Sequence, residues 1–211
     1  PSACKRKRRG MGSQWSKDST YTRAMREGYR SRAAYKLIEI QDRHHIIRET
    51  DNVVDLGAAP GSWLQVIRGI TRGKVLGIDL SPIVPLEGVL TMVGDISDKQ
   101  IRSAARAQLG IVNVVTSDAA PKLSGSKSYD QARSIALCEE ALSFACELLK
   151  PGGNFVVKAF QGEDFNGLLK ETRDHFLSVR TLRSTASRKG SAEIYVIGKN
   201  FVSMHDPEGP I

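Results

Sequence analysis

Three aspartates close three short apolar segments of this chain: Asp79 in KVLGIDL, Asp95 in VLTMVGDI and Asp118 in IVNVVTSDA. A carboxylate at the carboxyl end of a strand can accept both hydroxyls of a ribose, and the end of the next strand lies where an attached base would sit. A glycine-rich turn, DLGAAPGSW, joins an apolar strand to a helical pattern, so backbone amides at a helix start can approach a ligand there. A nicotinamide site would carry GxGxxG at this place, whereas the turn reads GAAPGS. Any one of the aspartates could be a cap or a turn former. Together with the turn they converge on one sheet edge, the edge at which open α/β sheets bind ligands, and they point to a nucleoside-bearing molecule.

Further charged groups fall near the same edge. Lys158 ends the apolar run GNFVVKAF, where an isolated lysine would ordinarily snorkel to solvent. Glu193 begins the last strand, and if that strand runs antiparallel its start lies where the parallel strands finish. Lys36 lies in the helical stretch SRAAYKLIEIQDRH and, taken alone, is a solvated face residue. The histidines form no HxH or HxxxH set, and the three cysteines, Cys4, Cys138 and Cys146, no CxxC pair, so neither a metal site nor a disulfide framework is expected. Cys138 and Cys146 share the apolar stripe Ile135, Cys138, Leu142, Cys146, Leu149, which reads as buried structure rather than a nucleophile.

The elements that must position these groups follow from alternation. From residue 51 onward, short β-branched runs alternate with helical patterns, which predicts a doubly covered, mostly parallel sheet with helices on both faces. The strands are predicted at 53–57, 74–80, 89–96, 111–119, 153–160, 179–184 and 192–201. Helices are predicted over SWLQVIRGI, SDKQIRSAARAQL, DQARSIALCEEALSFACELL and EDFNGLLKETRDHF, and before them over SRAAYKLIEIQDRH with Ser31 as its N-cap. Lys150, Pro151, Gly152 and Gly153 should end one helix and open the next strand. TASRKGSA is too short for a helical crossover, so the last two strands should pair antiparallel, giving seven strands with the last reversed.

The motifs DLGAAPGSW, GIDLSP, GDI, SDAAP and PGGNFVVKAFQG, together with RSRAAYKL and AEIYVIG near the two ends, resemble the FtsJ/RrmJ family of RNA ribose 2′-O-methyltransferases. The resemblance implies a Rossmann-like methyltransferase fold with S-adenosyl-L-methionine held by Gly57, Gly61, Trp63, Asp79, Asp95 and Asp118, with Ala58, Pro60, Ser62, Leu80 and Ile96 beside them. It also implies that Lys36, Asp118, Lys158 and Glu193 form the family's catalytic K-D-K-E tetrad. The target so implied is a uridine of large-subunit ribosomal RNA in the ribosomal subunit. Ser62 departs from the pattern, because bacterial ribosomal members carry a second glycine there; the change is tolerated if this residue has helical dihedrals. Lys158 would act as base or hydrogen-bond acceptor for the 2′-hydroxyl. Deprotonation needs a neutral amine, which burial and Lys36 would favour and which Asp118 and Glu193 would oppose.

Charge supports a polyanionic partner. Residues 1–36 hold 11 of the 31 Lys and Arg but only two of the 23 Asp and Glu, a net of +9 that leaves the rest of the chain at −1. Lys5 to Arg9 could be a solvated tail, but the basic residues continue through RAMREGYRSRAAYK interleaved with Tyr21, Tyr29 and Tyr35, as expected of a surface for phosphates and bases. No apolar run approaches the roughly 20 residues needed to span a bilayer, and PSACKRKRRG is not followed by an apolar h-region. A cytoplasmic monomer is expected, with a basic arm over 1–30, one domain over 31–202 and a frayed tail over 203–211. A transfer RNA target and a noncatalytic RNA-binding role are the competing expectations.

Overall fold

The structure is a computed structural model and describes residues 19–202 except Lys189. Thirteen elements are described: α1 (Ser19–Arg26), α2 (Ala34–His44), β1 (Val53–Leu56), α3 (Ser62–Ile70), β2 (Val75–Asp79), β3 (Leu90–Val93), α4 (Lys99–Leu109), β4 (Val112–Ser117), α5 (Lys127–Leu148), β5 (Leu149–Phe160), α6 (Phe165–His175), β6 (Phe176–Leu182) and β7 (Glu193–Phe201). The strands form one sheet in the order β3-β2-β1-β4-β5-β7-β6. β1, β2, β3, β4 and β5 pair parallel, and β7 pairs antiparallel with both β5 and β6. The reversed last strand is as expected, and its place between β5 and β6 is an addition.

Period-2 alternation divides the strand residues between two apolar layers. Val54, Leu56, Leu76, Ile78, Val115, Phe155 and Val157 pack with Ala105 of α4, with Cys138, Leu142 and Phe144 of α5, and with Phe165 and Leu168 of α6. Their neighbours Val53, Val75, Val114, Val156, Tyr195 and Ile197 pack with Leu37 and Ile40 of α2 and with Trp63, Leu64 and Ile67 of α3. Burial on both faces is why β1 is buried at every position, Asp55 included.

Several boundaries differ from expectation, each for a local reason. α1 carries a single fully buried apolar residue, Ala24, so it has no apolar stripe to reveal it. Ser31 does not cap α2; its hydroxyl accepts from the Ala33 amide at 3.2 Å in the turn before the helix. α5 begins at Lys127, earlier than expected, because the Asp130 carboxylate reaches back to the Ser124 amide and hydroxyl, both at 2.8 Å. β5 begins at Leu149 and takes Pro151, Gly152 and Gly153 into a register shift against β4, where Val112 pairs with Leu149 but Val114 with Asn154. Cys138 is buried and its thiol donates to the Lys158 carbonyl at 3.1 Å; burial pushes that thiol up to about 12, as befits a structural cysteine.

Candidate active site

The strand order reverses direction between β1 and β4, and the turns after these strands approach closely. Gly57, at φ 68°, would place a Cβ 2.5 Å from the Cβ of Ala119, so glycine is needed for the two turns to touch as well as for any ligand. Asp79 is held from two sides, accepting from the Ala59 amide at 3.0 Å and the Ser81 amide at 2.8 Å. Asp95 accepts from the Ser97 amide at 2.9 Å and its hydroxyl at 2.8 Å, both on Oδ1. These hydrogen bonds hold its carboxyl below the usual carboxylate range. Gly57, Asp79, Leu80, Asp95, Ile96 and Asp118 line a cavity of about 330 Å³.

The other turn residues face elsewhere. Ala58, Pro60, Gly61, Ser62 and Trp63 lie outside the walls of that cavity. Trp63 is buried in the layer under α2, its indole donating to the Ala33 carbonyl at 2.9 Å. Ser62 is the first residue of α3, so its departure from glycine costs nothing in backbone conformation, and its hydroxyl accepts from Ser31 at 2.8 Å.

The four tetrad residues come from four separate segments into one bonded cluster. Lys36 Nζ lies 3.0 Å from Glu193 Oε2 and 3.9 Å from Asp118 Oδ1. Lys158 Nζ lies 3.2 Å from the same Asp118 oxygen and donates to the Asp118 backbone carbonyl at 2.6 Å. Both lysine side chains are only 7% exposed, a position lysine tolerates only when paired. Burial raises the Glu193 carboxyl, but Lys36, aided by Lys158, outweighs it and leaves Glu193 below the usual glutamate range. Tyr195 is a fifth member: its buried phenol donates to Asp118 Oδ1 at 2.7 Å. Nothing in AEIYVIG separates this tyrosine from an ordinary strand aromatic, because its partner is 77 residues away. Lys36 is as deeply buried as Lys158, so the reading of a solvated helix face does not apply to it.

A second cavity, of about 660 Å³, is lined by Arg32, Lys127, Gln131, Phe160, Arg188 and Glu193 among others. Asp118 faces the smaller cavity and Glu193 the larger, so the cluster forms the partition between them. Among the described residues, no group of His, Cys, Asp and Glu could hold a metal ion, and no helix is long and apolar enough to cross a membrane.

The family model described as FtsJ-like methyltransferase matches residues 29–201. The chain belongs to this family. A protein from Methanoculleus marisnigri named ribosomal RNA large subunit methyltransferase E is 64% identical over 203 residues, covering 95% of this chain and all of its own length. A protein of the same name from Methanoregula boonei is 61% identical over 191 residues, covering 90% of this chain and 99% of its own length. The crystal structure of a Plasmodium falciparum protein assigned as a ribosomal RNA methyltransferase superposes with a TM-score of 0.75. It is 29% identical and covers 83% of this chain and 100% of its own. As an FtsJ-like member the protein is a methyltransferase, and the cluster of Lys36, Asp118, Lys158 and Glu193 and the aspartate-lined cavity share one edge of its sheet.

Proposed function

We propose that this enzyme transfers a methyl group from S-adenosyl-L-methionine to a ribose 2′-hydroxyl of large-subunit ribosomal RNA in the ribosomal subunit. The observation that carries this reading is the bonded cluster of Lys36, Asp118, Lys158 and Glu193 standing between a cavity of nucleoside size and a larger one bearing Arg32, Lys127 and Arg188. The names of the relatives give the substrate class, and the basic N-terminal segment agrees with a phosphate-bearing partner.

The cofactor fits the smaller cavity on chemical grounds. Asp79 is oriented by two backbone amides, as a carboxylate that accepts ribose hydroxyls must be, and Asp95 keeps Oδ2 available for a base once Oδ1 is used by Ser97. When bound, S-adenosyl-L-methionine supplies an electrophilic methyl on a sulfonium. The protein's part is to bring the acceptor oxygen into line with it, and positioning of this kind accounts for much of such a rate enhancement. Lys158 is the group that meets the 2′-hydroxyl. Two of its N–H donors are directed at Asp118, one to the carbonyl and one to the carboxylate, which leaves one position on the nitrogen for the acceptor oxygen. Asp118 in turn is fixed by Tyr195 and lies beside Lys36, which holds Glu193.

The test is methyl transfer from labelled S-adenosyl-L-methionine to purified ribosomal subunits, free ribosomal RNA and transfer RNA. Alkali-stable label in large-subunit RNA, located by nuclease mapping, is expected. Label in transfer RNA alone would move the target, and label in none, with cofactor bound, would make the protein a binder.

A further inference from the structure

Residues 28–33, which precede α2, bond along the glycine turn after β1 and the start of α3. The Gly28 carbonyl accepts from Gln65 Nε2 at 2.9 Å, and the Arg30 amide donates to Gln65 Oε1 at 2.8 Å. Ser31 donates to Ser62, and the Ala33 carbonyl accepts from Trp63. At the centre of this seam the Arg30 guanidinium donates to three carbonyl oxygens: Pro60 at 2.9 Å, Val84 at 2.7 Å and Pro85 at 2.9 Å. The first belongs to the glycine turn after β1, and the other two belong to the loop after β2. These are the segments that carry Ala59, Asp79 and Leu80 into the wall of the smaller cavity.

Three carbonyl oxygens cannot satisfy one another, since each is only an acceptor. A planar guanidinium, with donors fixed in a fork, can hold all three at once, and an ammonium on a flexible stem cannot reproduce that geometry. Gly61 is built around this contact. A Cβ there would lie 2.4 Å from Arg30 Nη1, and the residue has φ 101°, so the glycine makes room for the arginine. The next helix then carries Lys36 into the tetrad.

We propose that Arg30 is a positioning residue for the cofactor: it staples the glycine turn to the loop after β2 and so sets the spacing of the cavity walls that hold the nucleoside. The proposal rests on the functional reading above only for the identity of the ligand. It is not a contact to the reacting atoms, so its removal should act on cofactor affinity rather than on turnover at saturation.

The experiment is calorimetric binding of S-adenosylhomocysteine to the full chain, to Arg30→Ala and to Arg30→Lys, with thermal unfolding measured with and without that ligand. Arg30→Ala should bind roughly tenfold more weakly, the size of one charge-assisted hydrogen bond. Its ligand-free unfolding temperature should stay close to that of the parent while its ligand-induced rise shrinks. Arg30→Lys should resemble the alanine variant, and kcat for both at saturating cofactor should stay within about twofold of the parent. Parent-like affinity in Arg30→Ala, full recovery by lysine, or a fall in kcat with affinity unchanged would each overturn the proposal. Absence of binding by the parent chain would instead remove the cofactor reading beneath it.

Discussion

Tyr195 donates its phenolic hydrogen to Oδ1 of Asp118 across 2.7 Å, from a ring that is fully buried between α2 and the sheet. The same carboxylate oxygen receives Lys158 at 3.2 Å, so the tyrosine and the lysine fix one acceptor from two directions. Burial and the Asp118 carboxylate both hold the phenol well above its ordinary range, which keeps it a donor at any working pH. Tyr195→Phe removes this donor and leaves the ring. Turnover on RNA should fall roughly tenfold, the loss of one hydrogen bond to a charged group, while S-adenosylhomocysteine affinity stays near parental. Steady-state kinetics beside calorimetry check this; an unchanged kcat would assign the phenol to packing alone.

Lys158 bonds to Asp118, whereas Asp79 and Asp95 of the smaller cavity take their hydrogen bonds from Ala59, Ser81 and Ser97. Lys158→Ala should therefore retain cofactor binding and lose methyl transfer. A positioned proton-transfer group contributes about 10² to 10⁴ in rate, and the residual activity should fall by that order. Normal turnover by the variant would show that the 2′-hydroxyl meets another group.

What was legible in the chain follows the range of the interactions. β1, β2 and β4 lie within two residues of the apolar runs that announce them, and α3 has the bounds of SWLQVIRGI, because burial on both sheet faces writes itself into local pattern. The aspartates were legible for the same reason, as polar residues ending apolar runs. Tyr195 and Arg30 were not. Both have sequence neighbours that explain them blandly, and their partners lie across the fold: Asp118 for the tyrosine, Pro60, Val84 and Pro85 for the arginine. The insertion of β7 between β5 and β6 is likewise a choice of pairing partner, which a short loop permits but does not dictate.

Asp55, in the centre of β1, offers a stability test that is separate from catalysis. Its Oδ1 accepts from Thr116 Oγ1 at 2.7 Å, and its Oδ2 is buried without a partner. Burial pushes the carboxyl up to about 8 against that hydrogen bond, and Asp118 and Asp79 push the same way. The folded state thus keeps a proton that the unfolded chain releases near the ordinary aspartate value of about 3.9. Between that value and about 8 the folded protein binds more protons than the unfolded one, so stability should fall as pH rises, by up to about 1.4 kcal/mol per unit. Asp55→Asn mimics the neutral acid and cannot ionise. Urea unfolding at pH 6 and pH 8 should show the parent losing stability relative to the variant at the higher pH; parallel profiles would mean that Asp55 is ionised in the fold.

The N-terminal segment is expected to act on RNA affinity through its charge. Lys5 to Arg9 lie outside the described residues; as five adjacent cations they are suited to phosphate contacts, which hold RNA without specifying its sequence. Replacing all five with serine should weaken RNA binding equally for cognate and unrelated RNA of equal length. The slope of log affinity against log salt should flatten by about 0.7 to 0.9 for each phosphate that the arm no longer neutralises. Arg23 provides the contrast. It is paired with Glu27 at 2.8 Å and lies over the Tyr35 ring at 4.7 Å, so its charge is partly answered within the protein. Arg23→Gln should alter the slope by less than any single arm substitution. Filter binding between low and moderate salt measures both variants, and an arm variant with the parental slope would leave the arm no share in holding RNA.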